Sequence, residues 1–243
     1  MKTPSHPSDI PKHRQVGAFT LMETVIAIGV LAVLLTGFMA VFTPAAQGIR
    51  RSISSEQADR LTTTLEMEIA TLRKGQETPD PATGFDKAFN WIKGGNTAAT
   101  AIFVYQYRGN PASIRADGTP APMITITGEP GKNYIVQSMA RRLTDAELEN
   151  DLKAIEGSVF FVKPTQLVFT AGELKPGNPG EIKNADNSIA ADAAGYKEAV
   201  IAFSAGFHNV PTKSIAYLKS ATFTTRFNTA NKPIFTRNLA ARR

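Results

Sequence analysis

Gly17-Ala18-Phe19-Thr20-Leu21-Met22-Glu23-Thr24-Val25-Ile26-Ala27-Ile28-Gly29-Val30-Leu31-Ala32-Val33-Leu34-Leu35 is the stretch on which the reading of this 243-residue chain turns. After Arg14 the first charged side chain is Glu23, and after Glu23 the next is Arg50. An apolar run of about 20 residues is long enough to cross a bilayer as a helix. Basic residues Lys12 and Arg14 precede it, and a longer polar chain follows. The one acid at its edge is the unusual feature. A carboxylate costs about 2.5–3.5 kcal/mol at the bilayer centre on insertion scales, and less near the interface. An acid kept there calls for a compensating positive group.

Phe19-Thr20-Leu21-Met22-Glu23, set behind a small residue and ahead of an apolar helix, resembles the processing site of type IV pilins and type II secretion pseudopilins. The resemblance covers roughly 17–74. It implies that prepilin peptidase cleaves between Ala18 and Phe19 and methylates the new amino group of Phe19. Glu23, fifth in the mature chain, would then neutralise the amino terminus of a neighbouring subunit. The family usually places Gly directly before the cut, whereas here Ala18 stands between Gly17 and Phe19. Cleavage after Gly17 would make Ala18 first and Glu23 sixth; cleavage after Ala18 keeps the Phe and Glu register. The family architecture is α+β, with a long N-terminal transmembrane helix packed on an antiparallel, β-rich head. This divides the chain into a leader (1–18), a transmembrane and amphipathic helix (19–74) and a periplasmic head (75–243).

Two other readings of the apolar run are open. A cleaved secretory signal would have its small residues at Ala40, Ala45 and Ala46, but Glu23 lies on the wrong flank for it. An ordinary signal anchor with an incidental acid is the other. Orientation by flanking charge is weak, since Lys2, Lys12 and Arg14 on one side face Arg50 and Arg51 on the other. The resemblance implies the answer: the leader would be cytoplasmic and the head periplasmic, and the mature subunit would join an envelope-spanning filament or pseudopilus through its N-terminal helix. The chain contains no cysteine, which excludes disulfides, thiolate nucleophiles and Cys-ligated metals.

Beyond the apolar run, Pro44 should kink or break the helix. Ile53, Gln57, Leu61, Leu65, Ile69 and Leu72 then form one stripe at helical spacing, expected to lie on a sheet. Glu56 and Arg60 form an i,i+4 pair, and Gly75 is a plausible stop. Strands are expected over 101–107 (ending at Gly109-Asn110-Pro111), 123–127, 134–139, 159–162, 166–169, 199–203, 217–227 and 234–236, with Pro164 splitting the pair on either side of it. Thr144-Asp145-Ala146-Glu147 reads as a capping box opening a helix to about Ile155. Residues 171–197 read as one long loop. Its oxygen-rich part, Glu181, Asn184, Asp186, Asn187 and Asp192, has the donors for Ca²⁺ but not the EF-hand spacing, so a solvated loop is the expectation.

The formal net charge is +6, and loss of the leader, with three basic residues and one acid, would leave +4. No acid follows Glu198, while Lys213, Lys219, Arg226, Lys232, Arg237, Arg242 and Arg243 do. Against the acids Asp145, Glu147, Glu149 and Asp151, this asymmetry could set subunit register. Nucleic-acid binding through interleaved Phe223, Phe227 and Phe235 is a weaker reading than a solvated basic face. No catalytic residue, cofactor or metal site stands out. His6 and His13 lie in the leader, and His208, beside Gly206 and Asn209, is expected in a turn. Gly128-Glu129-Pro130-Gly131-Lys132 lacks the spacing of a phosphate loop, and no nucleophile elbow is present. The expectation is a structural subunit, of a minor or tip kind given its large head. A membrane-anchored periplasmic binding module that does not assemble is the alternative.

Overall fold

The structure, a computed structural model, describes residues 20–77 and 79–243. The chain divides into two units that meet between Ile49 and Arg50. Helix α1 (Leu21–Ala70) is assigned without interruption and contains Pro44. A break at Pro44 is therefore not seen: the lost bond and the crowded carbonyl of the preceding turn are accommodated within one helix. Throughout the first unit, the described side chains from Thr20 to Phe42 are exposed.

In the second unit, the end of α1 packs on a sheet. Ala58, Leu61, Leu65 and Ile69 are buried at helical spacing, whereas Ile53 and Leu72, the ends of the expected stripe, are about half exposed. The helix ends at Ala70, four residues short of the expected stop, and Gly75 takes a left-handed φ of 77° in the turn that follows. Sequence reasoning missed α2 (Gly84–Gly94), although it opens on a reciprocal capping box between Thr83 and Asp86. Phe85, Ala88, Phe89 and Ile92 bury its inner face.

The strands are β1 (Ile102–Ile114), β2 (Pro120–Pro122), β3 (Ile135–Arg142), β4 (Ile155–Thr170), β5 (Glu173–Pro176), β6 (Val200–Asn209) and β7 (Phe235–Arg242). All pair antiparallel, in the order β2-β1-β4-β6-β7, with β3 also on β1 and β5 also on β4. The chain is thus α+β, with a long apolar N-terminal helix and an antiparallel sheet.

Four expectations need correction. Pro164 does not split a strand: β4 runs through it, opposite Ala205 of β6. Its carbonyl accepts from Asn96 rather than from β6, so the side on which proline lacks its N–H carries no ladder bond. Residues 123–127 form no strand, and Ile124 and Ile126 are exposed there. The expected strand over 217–227 is helical: α4 (Ile215–Leu218) and α5 (Ala221–Thr229). Phe223 and Phe227 sit one turn apart on the buried face of α5, an i,i+4 spacing hidden among β-forming Thr and Phe. The helix expected from Thr144 is only α3 (Leu148–Leu152), which follows Glu147 without a side-chain cap; ahead of it Asp145 accepts from Arg141 with one oxygen and from the Glu147 amide with the other.

The sheet is therefore covered on both faces. One face carries Ile102, Val104, Phe160, Val162, Phe203 and Phe207 in a cluster with α1 and α2. The other carries Phe103, Tyr105, Tyr107, Val159 and Phe161, clustered with α3, α4 and α5. Residues 177–199, after the β4–β5 hairpin, do not form a wholly solvated loop, since Ile182, Ala190, Ala193 and Tyr196 join the first core. The carboxamide of Gln166 fastens this segment: its Nε2 donates to the Lys183 carbonyl at 2.8 Å, and its Oε1 accepts from the Lys183 amide at 2.7 Å.

Candidate functional site

Two regions could carry function: the apolar start of α1, and the head that holds its end. Thr20 precedes the helix, and its Oγ1 accepts from the Glu23 amide at 3.2 Å, closing the first turn. Glu23 is the acid of that turn, where a negative charge complements the positive end of the helix dipole. It is exposed and makes no ion pair among the described residues. Gly17, Ala18 and Phe19, the expected cleavage and methylation residues, lie outside the described residues.

Within the apolar segment the polar atoms are internally satisfied. Thr24 Oγ1 donates to the Thr20 carbonyl at 3.3 Å, and Thr36 Oγ1 to that of Ala32 at 2.8 Å. Such back-bonding removes hydroxyls that lipid could not solvate. Gly29 and Gly37 have open space where a Cβ would stand, and Ala32, Val33, Thr36, Gly37 and Ala40 line a shallow apolar groove. Phe38 and Phe42 stack one turn apart, with ring centroids 5.3 Å apart. This is the one helix among the described residues long and apolar enough to cross a membrane.

The head grips the end of α1 through polar contacts. Lys87 of α2 donates from Nζ to the carbonyl of Glu68 and to Gln76 Oε1, each at 2.7 Å, and to the carbonyl of Thr71. Its ammonium also lies 4.6 Å from the Trp91 ring centroid. Burial pushes this ammonium down to about 8, against the pull of the Glu68 carboxylate. Arg73 folds back on Glu68, donating from Nε at 2.7 Å, and reaches the Asp117 carbonyl at 3.1 Å. On the helix surface Glu56 and Arg60 pair as expected, 2.7 Å apart and exposed.

Beneath α3 lies a buried charge network that sequence reasoning missed. Arg141 donates to Asp151 Oδ2 and Asp145 Oδ2 at 2.8 Å, and to Asp117 Oδ2 at 2.6 Å. Arg115 lies 2.8 Å from Asp151 Oδ1, and the Tyr105 hydroxyl donates to Asp151 Oδ2 at 2.7 Å. Burial opposes the charge on Arg141, yet Tyr105, Asp145 and Asp151 outweigh it and its proton is held more tightly than usual. Burial likewise opposes the Asp117 carboxylate, but bonds from Thr119 and Arg141 hold it at about 2. The expected acidic surface of four residues is thereby reduced, since Asp145 and Asp151 face inward.

The basic tail is likewise partly committed. Arg237 lies 3.8 Å from Asp59, Lys219 lies 3.9 Å from Glu149, and Arg243 donates to the carbonyls of Ala193 and Tyr196. Phe223 and Phe227 are fully buried, so they present no stacking surface to nucleic acid. His208 is not in a turn: it belongs to β6 and stacks on Phe161 at 4.8 Å and 7°. In the 177–199 segment, Asp186 pairs with Lys197, Glu181 accepts from Asn178, and Asp192 accepts from the Gly195 amide. No group of three or more acidic or histidine side chains suited to a metal ion occurs among the described residues. No family model, curated protein or solved structure matches this chain.

Proposed function

We propose that this chain is a pilin-like or pseudopilin subunit of a type II secretion or type IV pilus filament, in a minor or tip position and without catalytic activity or a cofactor. The observation that carries this reading is the exposed apolar start of α1, with a single unpaired carboxylate, Glu23, in its first turn. A helix that is apolar all round needs lipid or other helices around it. A carboxylate in such surroundings needs a cation, and the resemblance supplies one: the methylated amine of Phe19 on an adjoining subunit. Prepilin peptidase would release that amine by cleaving after Ala18. The subunit would cross the inner membrane once, head in the periplasm, and then pack helix to helix into the filament. Gly29 and Gly37 would allow close approach. The fastening of the helix end by Lys87, Arg73 and the apolar stripe supports a role in which load passes between stem and head.

The alternative is a membrane-anchored periplasmic binding module that never assembles. N-terminal sequencing and intact mass of material from cells with active prepilin peptidase separate the two. A chain starting at methylated Phe19 supports the filament subunit; an intact Met1 terminus overturns it in favour of the anchored module.

A further inference from the structure

The face of the sheet under α5 carries an open cleft of about 520 Å³ at the far end of that helix. Its floor is the stacked pair Phe161 and His208, and Arg226, Thr229, Asn231 and Lys232 stand around it. His208 is only 7% exposed, yet its imidazole makes no hydrogen bond among the described residues. Its ring nitrogens are not sealed from the cleft that the residue lines, so a partner entering the cleft can bond to the imidazole. The cations are not matched by acids. Arg226 spends one N–H on the Asn209 carbonyl at 3.1 Å, and neither it nor Lys232 forms an ion pair among the described residues. No acidic residue lines the cleft, and none follows Glu198 in the sequence.

From these contacts we infer that the cleft is a binding site for a small oxyanion, held by charge-assisted bonds from Arg226 and Lys232 and by the imidazole N–H of His208. This site is independent of the filament reading, since it involves only the head. Neutral imidazole has one donor and one acceptor, so it can give a bond to a carboxylate or phosphate oxygen without being protonated. The guanidinium adds a planar fork suited to the same oxygens. The charged groups facing His208 are Lys163 from β4, Arg226 from α5 and Lys232 from the following loop, and all are cationic. An anion bound among them offsets their repulsion of a proton on the ring, so occupancy raises the imidazole's affinity for protons.

The test is a titration of the full chain, labelled at histidine and held in detergent micelles, with inorganic phosphate in one series and citrate in another, at constant ionic strength. The His208 resonances should shift saturably while His6 and His13 serve as internal controls. The imidazole titration midpoint should rise with occupancy. Whichever series saturates at lower concentration identifies phosphate or carboxylate as the preferred group. Arg226→Gln and Lys232→Gln should each weaken binding by about tenfold, the loss of one charge-assisted contact. Absence of a saturable shift at His208 in both series overturns the site. So does undiminished binding by both variants, or a shift equally large at His6 and His13.

Discussion

Nζ of Lys87, on α2, lies 2.7 Å from the carbonyl oxygen of Glu68, in the last turn of α1, and so closes one helix from the side chain of another. The last carbonyls of a helix have no partner within it. Here a cation takes over two main-chain oxygens at the negative end of the dipole, where positive charge is favoured. The 50-residue helix is joined to the head at this point by directional bonds as well as by its apolar stripe.

Lys87→Met keeps most of the aliphatic bulk and deletes the donors. The orphaned carbonyls should lower stability by about 2–3 kcal/mol. Denaturant unfolding of the full chain in detergent reads the loss. Amide exchange should accelerate most at 68–72, and an unchanged midpoint would show that water replaces the ammonium at no cost.

Gly84→Ala tests the same junction sterically. A Cβ at Gly84 would fall 2.3 Å from the carbonyl oxygen of Ala70, a contact that only main-chain movement can relieve. The expected cost is about 1–3 kcal/mol, typical of overpacking. Gly131→Ala, at a loop glycine with no atom within 4 Å, has no such contact and should cost less, from its positive φ of 80° alone.

Asp151→Asn should be the most destabilising of the single polar changes, by about 3–5 kcal/mol. It leaves buried Arg141 and part-buried Arg115 with one negative charge fewer between them. Glu56→Gln, at an exposed pair, should change stability by less than about 0.5 kcal/mol. Equal effects from the two would mean that the buried network is freely hydrated.

His208 sets an acid-side limit. Burial lowers its imidazole to about 4 from the usual value of 6.5, and Lys163 and Arg226 add to the effect. The depressed value means that the unfolded chain binds a proton the folded chain refuses. The stabilisation from holding the ring neutral is complete above about pH 6.5 and is lost as pH falls to about 4. The loss is on the order of 2–3 kcal/mol. His208→Gln should flatten this part of the stability–pH curve while leaving the slope below pH 4 in place.

Glu23→Ala should leave processing by prepilin peptidase largely intact and reduce incorporation into filaments by about tenfold or more, as an unmatched terminal amine would then enter an apolar core. Sedimentable filament and intact mass, measured on the same cells, read the two effects separately. Incorporation at the wild-type level would count against the charge-pair reading.

Elements governed by local pattern were legible from the residues alone. The apolar run from Leu21, the Leu61-Leu65-Ile69 stripe, the Glu56–Arg60 pair and the strands on β-branched and aromatic runs all express a period of 3.6 or 2 in consecutive side chains. The helix α2 was equally legible through Thr83 and Asp86, but was passed over in a segment rich in Gly, Pro and Asn.

What only the tertiary structure decided depends on partners distant in sequence. Residues 217–227 have strand-forming composition, yet they coil into the end of α4 and most of α5, where Phe223 and Phe227 both reach Phe161. Pro164 continues a strand while Asn96, 68 residues away, donates from its side-chain amide to the Pro164 carbonyl. Arg141 gathers Asp145 and Asp151 from the segment after it and Asp117 from 24 residues before it, and Lys87 finds carbonyls that no helical period announces. The sequence by itself determined that a greasy helix with one acid leads a β-rich head, since burial of a stripe is a one-dimensional property. Which polar groups are buried together follows from topology, because long-range hydrogen bonds and ion pairs form only once the chain has brought their ends into one place.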